Sequence, residues 1–270
     1  EGIRLAKEEI ESIKSQALPT FENTIEALDL AGKKLGIISG IFFNLNSAET
    51  SDEIQKLARE ISPLLTQHSN DILLDKDLFL RVQQIFKQQD ELNLNPEQKT
   101  LLEKTYKAFV RNGANLSEED ADKLRKIDEE LAHLSLQFGE NVLAETNKFV
   151  HFVSEESEVE GLPESIKEAA AQTAEEKGKA GQWAFTLDYP SYIPAMTYLK
   201  NRELRKKLFI AYNTKSSKGD ELDNQETIKK ILNLRHQRAH LLGYSSHSHF
   251  VLEERMAKSP KAVMDFLENL

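Results

Sequence analysis

The stretch DNQETIKKILNLRHQRAHLLGY, residues 223–244, predicts the helix around which the chain is organised. At about 100° per residue its apolar side chains fill one arc of roughly 180°, so a whole side of the helix should be buried. A helix with so wide a buried face is typical of a packed helical protein. The residues of this arc are Ile228, Ile231, Leu232, Leu234, Ala239, Leu241 and Leu242.

Two histidines near the end of this helix stand four residues apart, as in the zinc-peptidase pattern HExxH. Gln237, however, occupies the position of the general base, and a glutamine cannot accept a proton from zinc-bound water. His236 and His240 also fall outside the apolar arc, where no neighbouring group would fix their imidazole tautomers. We therefore expect two surface histidines and no metal in this chain.

Arg235 and Arg238 fall inside the apolar arc, where a guanidinium must find a partner or reach a cleft. The favoured interpretation is an ion pair with an acidic residue of a neighbouring helix, because buried charges are paired. The alternative is that the two arginines line a groove that binds peptides. They are our candidates for residues of a substrate channel.

Composition limits the classes of partner. The net charge of −10 argues against a nucleic acid or an anionic membrane surface. The absence of cysteine excludes disulfides, thiolate nucleophiles and cysteine-bound metals, although it suits cytoplasm and periplasm alike. No apolar run approaches the roughly 20 residues of a membrane span. We expect a cytoplasmic rather than a periplasmic location.

Helical periodicity and capping residues dominate residues 1–147, which we predict to be a region of antiparallel helices with short connections. Thr20 is placed to cap one long helix with a single buried stripe, and Ser51, Asn95 and Ser117 are placed to cap later helices. That stripe consists of Phe21, Ile25, Leu28, Ala31, Leu35, Ile38, Phe42 and Leu45.

Residues 148–190 are predicted to form a small β-containing insert with one helix. The strand candidates are residues 149–153 and 183–187, which could pair, and the segment Tyr189–Pro194 is predicted to be a rigid turn. The expected fold class is mainly α: a bundle-like lobe of antiparallel helices with a small two-stranded β element.

Residues 191–270 are predicted to be helical again and to lead into a further, catalytic domain. His247 and His249 should lie in an extended loop exposed to solvent. By themselves they lack an obvious third metal ligand. The alternative is a non-catalytic metal site that combines them with His236 and His240. Ser259 and Pro260 begin an apolar stripe that stops at Leu270, so we expect the natural protein to be longer.

Several segments together resemble the thimet-oligopeptidase family of zinc metallopeptidases, and among its members most closely the bacterial peptidyl-dipeptidases, with oligopeptidase A next. They are LPTFENTI (18–25), FFNLNSAET (42–50), LDYPSY (187–192), NRELR (201–205), LLGY (241–244) and MAKSP (256–260).

The resemblance implies a mostly helical, two-lobed enzyme that uses zinc to hydrolyse short peptides in a deep channel. It also implies that HExxH and the other catalytic residues lie in a C-terminal half, since residues 1–270 contain no HExxH. This chain would then be a non-catalytic N-terminal part that forms one wall of the channel, with no zinc of its own. Its partners would be short peptides and the catalytic domain of the same polypeptide. The alternative is a helical binding or scaffold protein derived from the peptidase family.

Overall fold

The computed structural model describes residues 1–270 and is mainly α-helical, as the sequence predicts. The α-helices are α1 (Gly2–Lys14), α2 (Ala27–Leu30), α3 (Lys33–Ala48), α4 (Asp52–Leu73), α5 (Lys76–Lys87), α6 (Pro96–Arg111), α7 (Glu118–Lys148), α8 (Glu164–Glu176), α9 (Tyr189–Tyr198), α10 (Arg202–Asn213), α11 (Gln225–Leu241), α12 (His247–Leu252) and α13 (Pro260–Glu268). A π-helical turn, Phe21–Glu26, precedes α2, and a 3-10 turn covers Glu156–Val159. No helix combines the length and the apolar composition that crossing a membrane requires.

The predicted helix caps are confirmed. The Thr20 hydroxyl accepts a hydrogen bond from the Asn23 backbone, and the Asn23 side chain accepts one from the Thr20 backbone. Asn95 forms the same reciprocal pair with Gln98, and the Ser51 hydroxyl accepts from the third residue of α4. These bonds join residues three apart and satisfy the unpaired N–H groups at a helix start, so a local sequence pattern predicts them.

The single long helix predicted after Thr20 is wrong. The chain breaks between α2 and α3, where Gly32 has φ +70° and its N–H donates to the Glu9 carboxylate at 2.7 Å. The left-handed backbone at Gly32 turns the helix direction, so the apolar stripe cannot stay on one buried face. On α3, Ile38 and Leu45 of the predicted stripe are exposed, and so are Ile37 and Ile41, which lie outside that stripe.

One compact unit consists of residues 1–134 and 231–270. Its main core joins α1, the π-helical turn, α5 and α6 through fully buried residues such as Ile25, Leu78, Val82 and Leu102. Stacked aromatic rings reinforce this core: the rings of Phe86 and Tyr106 lie 4.0 Å apart. The predicted domain boundaries after residues 147 and 190 differ from those of the compact units, and the three-part division stays a prediction.

The second compact unit, residues 135–230, contains the predicted β element. β1 (His151–Val153) pairs antiparallel with β2 (Trp183–Phe185), with Phe152 opposite Ala184. Helix α8 packs on β2, and the core beside them includes Val159, Phe185 and Leu208. The pairing confirms the two strand candidates, although both strands are shorter than predicted.

The predicted rigid turn at Tyr189–Pro194 is also wrong, because these residues form most of α9. Pro190 lies in the first turn of the helix, where a backbone N–H has no intrahelical partner to lose. The N–H groups of Ser191 and Tyr192 both donate to the Asp188 carbonyl and start the helix. Pro190 therefore fits the helix because it stands at its beginning, whereas Pro194 lies inside the helix.

Candidate functional site

Arg238, near the C-terminal end of α11, is held in a buried ion pair. Its Nε donates to the Asp128 carboxylate of α7 at 2.7 Å, and only 15% of each side chain is exposed. An Nη donates to the Asn112 side chain at 3.2 Å, and the guanidinium lies 5.0 Å from the ring centre of Phe250. Arg238 thus has the helix partner that the favoured interpretation required.

Arg235, one turn earlier, is exposed and makes no hydrogen bond or ion pair. The prediction that a whole side of α11 is buried is wrong, because the buried face of this helix is narrow. Ile231 and Ala239 are buried, whereas Ile228 and Leu232 are 41% and 59% exposed. Of the two candidate arginines, Arg235 has the guanidinium that is available to a ligand.

A third arginine, Arg111 at the end of α6, organises the segment after α11. Its guanidinium donates to the Phe250 carbonyl at 2.6 Å and to the Tyr244 hydroxyl at 3.1 Å, and it pairs with Glu253. The Tyr244 hydroxyl in turn donates to Glu253 at 2.6 Å. The Arg111 guanidinium also lies 4.5 Å from the Phe250 ring centre, so one ring contacts two arginines.

The same face of α6 carries two lysines that pair with the end of this segment. Lys104 lies 2.9 Å from Glu254, and Lys107 pairs with both Glu254 and Glu253. Hydrogen bonds from Lys107 and Lys104 lower the pKa of Glu254 to about 2. We call Lys104, Lys107, Arg111, Tyr244, Phe250, Glu253 and Glu254 the α6–α12 clasp. Sequence reasoning missed it, although basic residues spaced three and four apart on α6 and an adjacent acidic pair were visible signals.

The histidines do not form a metal site. His236 and His240 are exposed, with ring centres 4.0 Å apart, and Nδ1 of His240 lies 3.0 Å from the His236 carbonyl oxygen. His247 and His249 lie in α12 rather than in an extended loop, because the Ser246 hydroxyl caps that helix. His247 is half-buried rather than solvent-exposed, and burial, together with Arg235 and Arg238, lowers its pKa.

The side chains of this chain do not form a zinc site. No group of three or more histidine, cysteine, aspartate or glutamate side chains is arranged to hold a metal ion. A zinc site in proteins takes at least three such ligands.

Comparison with known proteins shows which family these residues resemble. The family model described as "Peptidase family M3" matches residues 195–270, a range that includes Arg235, Arg238 and α12. The dipeptidyl carboxypeptidase of Escherichia coli (strain K12) is 33% identical over 271 residues, which cover 100% of this chain and 40% of that protein.

Residues 195–270 match this family, and the whole chain is similar to part of a dipeptidyl carboxypeptidase.

Further relatives agree with this assignment. Oligopeptidase A of Haemophilus influenzae is 34% identical over 97% of this chain and 39% of its own length. The thimet-like oligopeptidase of Dictyostelium discoideum is 28% identical over 93% of the chain and 36% of its own length. The chain thus spans about 40% of the length of the first two relatives. The resemblance to the thimet-oligopeptidase family and its bacterial members is confirmed.

Proposed function

We propose that this chain is the N-terminal, non-catalytic part of a zinc-dependent peptidyl-dipeptidase that hydrolyses short peptides. The observation that carries the proposal is the match to a dipeptidyl carboxypeptidase over 100% of this chain but only 40% of that protein. The absence of a group of metal ligands supports the view that the zinc is held elsewhere in the parent enzyme. The cytoplasmic location stays a prediction.

The proposed partner of this chain is the catalytic domain of the same polypeptide. Support comes from α13, which has no buried residue although it is amphipathic. Its side chains Met264, Phe266 and Leu267 are 54%, 64% and 54% exposed. Exposed apolar faces of this kind mark interaction sites. The α6–α12 clasp fixes the segment from which α13 starts, so it would set where this face is presented.

We further propose that Arg235 contacts peptides in the channel, whereas Arg238 positions α11. The support is the difference between them: Arg235 is exposed without a partner, and Arg238 is paired with Asp128. In the complete enzyme, Arg235→Ala should raise KM for a peptide with a free carboxylate by about tenfold, as expected for the loss of one charge-assisted contact. Lys230→Ala, on another face of the same helix, should leave KM unchanged. Equal KM values for the two variants would show that Arg235 does not contact the peptide.

The alternative is a helical binding or scaffold protein that has kept the family's sequence without its activity. The two functions differ in one assay: a quenched peptide with a free C-terminus, incubated with the complete protein or with residues 1–270 alone, first with zinc and then with a chelator. Cleavage by the complete protein only, lost on chelation, supports the proposed function. Chelator-sensitive cleavage by residues 1–270 would contradict a non-catalytic role, and no cleavage by either would favour the scaffold.

A further inference from the structure

A cavity of about 450 Å³ opens within the unit of residues 135–230. The end of α7, one face of α8, strand β2 and the start of α9 line it. Its buried lining includes Ala170, Phe185 and Thr186, so the cavity reaches the core of this unit. Small-molecule sites in proteins commonly have volumes of about 300–1,000 Å³.

The exposed lining carries side chains of both charges with unused hydrogen-bonding capacity. The side chains of Lys177 and Asn147 form no hydrogen bond or ion pair. Two carboxylates face the same cavity and are each only partly engaged. One oxygen of Glu176 accepts from Gln172 at 3.0 Å, and one oxygen of Asp188 accepts from the Thr186 hydroxyl at 2.9 Å.

Between these charges the lining is apolar or small. Phe149, Ile166 and Pro190 contribute apolar surface, and α8 presents Ala169 and Thr173, whose short side chains leave the space open. The charged groups lie at the exposed part of the lining, so a cation and two carboxylates border this apolar surface. The lining is therefore complementary to a molecule that carries both charges on a partly apolar body.

We propose that this cavity binds a short peptide with a free amino and a free carboxyl end. Lys177 and Asn147 bind the carboxylate, Asp188 and Glu176 bind the ammonium group, and a side chain of the peptide lies against Phe149 and Pro190. This binding does not rest on the proposed function, because it requires neither zinc nor hydrolysis.

The test is calorimetric titration of the 270-residue protein with alanyl-phenylalanine and with the same dipeptide blocked by N-acetyl and C-terminal amide groups. Blocking should weaken binding at least about tenfold, because it removes both charge-assisted contacts. Lys177→Gln should weaken binding of the free dipeptide about tenfold for the same reason. The control Lys179→Gln, which removes an exposed cation outside the cavity lining, should leave affinity unchanged.

Ala169→Leu provides a second route, because it fills the cavity from an exposed position of α8 and far-UV circular dichroism reports whether the helix content survives. It should abolish dipeptide binding. Equal affinity for free and blocked dipeptide, equal affinity of the two lysine variants, or no saturable heat at millimolar dipeptide would each overturn the proposal.

Discussion

Arg238 forms an ion pair with Asp128, whereas Arg235 on the same helix has no such partner. Both side chains are 15% exposed, so each charge has lost most of its water and depends on the other. Arg235, three residues earlier on the same helix, is exposed and carries no such dependence. The two arginines therefore differ in what their removal should do to stability.

Replacing Arg238 with alanine should lower the free energy of unfolding by about 2–4 kcal/mol, because it leaves the Asp128 carboxylate buried without a cation. Arg235→Ala should change it by less than about 0.5 kcal/mol, as expected for an exposed side chain. Urea unfolding followed by circular dichroism measures both. A loss for Arg238→Ala no larger than for Arg235→Ala would show that the pair does not stabilise the unit.

His68, on α4, is a buried titratable residue. It is 8% exposed and its Nδ1 has no hydrogen-bond partner. Burial lowers its pKa, the nearby charge of Lys7 lowers it further, and Asp71 acts in the opposite direction. The folded protein therefore favours the neutral imidazole.

Stability should fall as the pH drops below about 6.5, the pKa of histidine in an unfolded chain. In that window the unfolded chain binds the proton and the folded His68 does not, so protonation favours unfolding until the lower folded pKa is passed. His151 and His247 act with the same sign, because burial lowers their pKa values too. The urea concentration at the unfolding midpoint should fall less between pH 8 and pH 5 for His68→Gln than for the unsubstituted protein. The control His133→Gln, at an exposed position, should keep the original slope.

At the scale of the element, the break between α2 and α3 consists of Ala31, which is extended, and Gly32, which is left-handed. Gly32 has φ +70°, whereas Gly36, four residues later, lies inside α3 with open space around its Cα. A side chain in the left-handed region is strained, but alanine in the middle of an exposed helix is favourable. Gly36 is therefore the control position for a substitution of Gly32.

Gly32→Ala should destabilise the protein by about 1–2 kcal/mol, because the left-handed conformation becomes costly. Gly36→Ala should stabilise it by up to about 1 kcal/mol, because alanine loses less conformational entropy in a helix. Thermal unfolding of both variants measures the difference. Stabilisation by both substitutions would mean that α2 and α3 join as one continuous helix.

At the scale of the whole molecule, apolar side chains remain uncovered in places where a helix would normally pack. On α3, Ile37, Ile38, Ile41 and Leu45 are between 48% and 60% exposed and lie within an arc of about 100°. A contiguous apolar surface of this kind favours association with another surface.

We expect residues 1–270 alone to self-associate with rising concentration through this face of α3. The double substitution Ile37→Lys and Ile41→Lys should reduce association measured by sedimentation velocity, because it places two charges in the patch. Ser47→Lys adds charge to α3 away from the patch and should not reduce association as strongly. A chain that stays monomeric at all concentrations, before and after substitution, would contradict an interacting role for α3.

The sequence by itself determined the features that depend on neighbours in the chain. The caps at Thr20, Ser51 and Asn95 join residues three apart, and the two strand candidates were visible as short β-branched and aromatic runs. The mainly helical fold and the family followed from periodicity and from ordered motifs. Local hydrogen bonds and periodicity need no knowledge of distant contacts, which is why they could be predicted.

Only the tertiary structure decided which apolar and charged side chains have partners. Periodicity gives the side of a helix that could be buried, but not whether another element covers it, so Ile38 and Leu45 of α3 and Leu232 of α11 were wrongly expected to be buried. Asp128 pairs with Arg238 across 110 residues of sequence, and Arg111 reaches Phe250 across 139. Contacts between residues so far apart in sequence depend on how the helices pack, and local sequence patterns do not predict them.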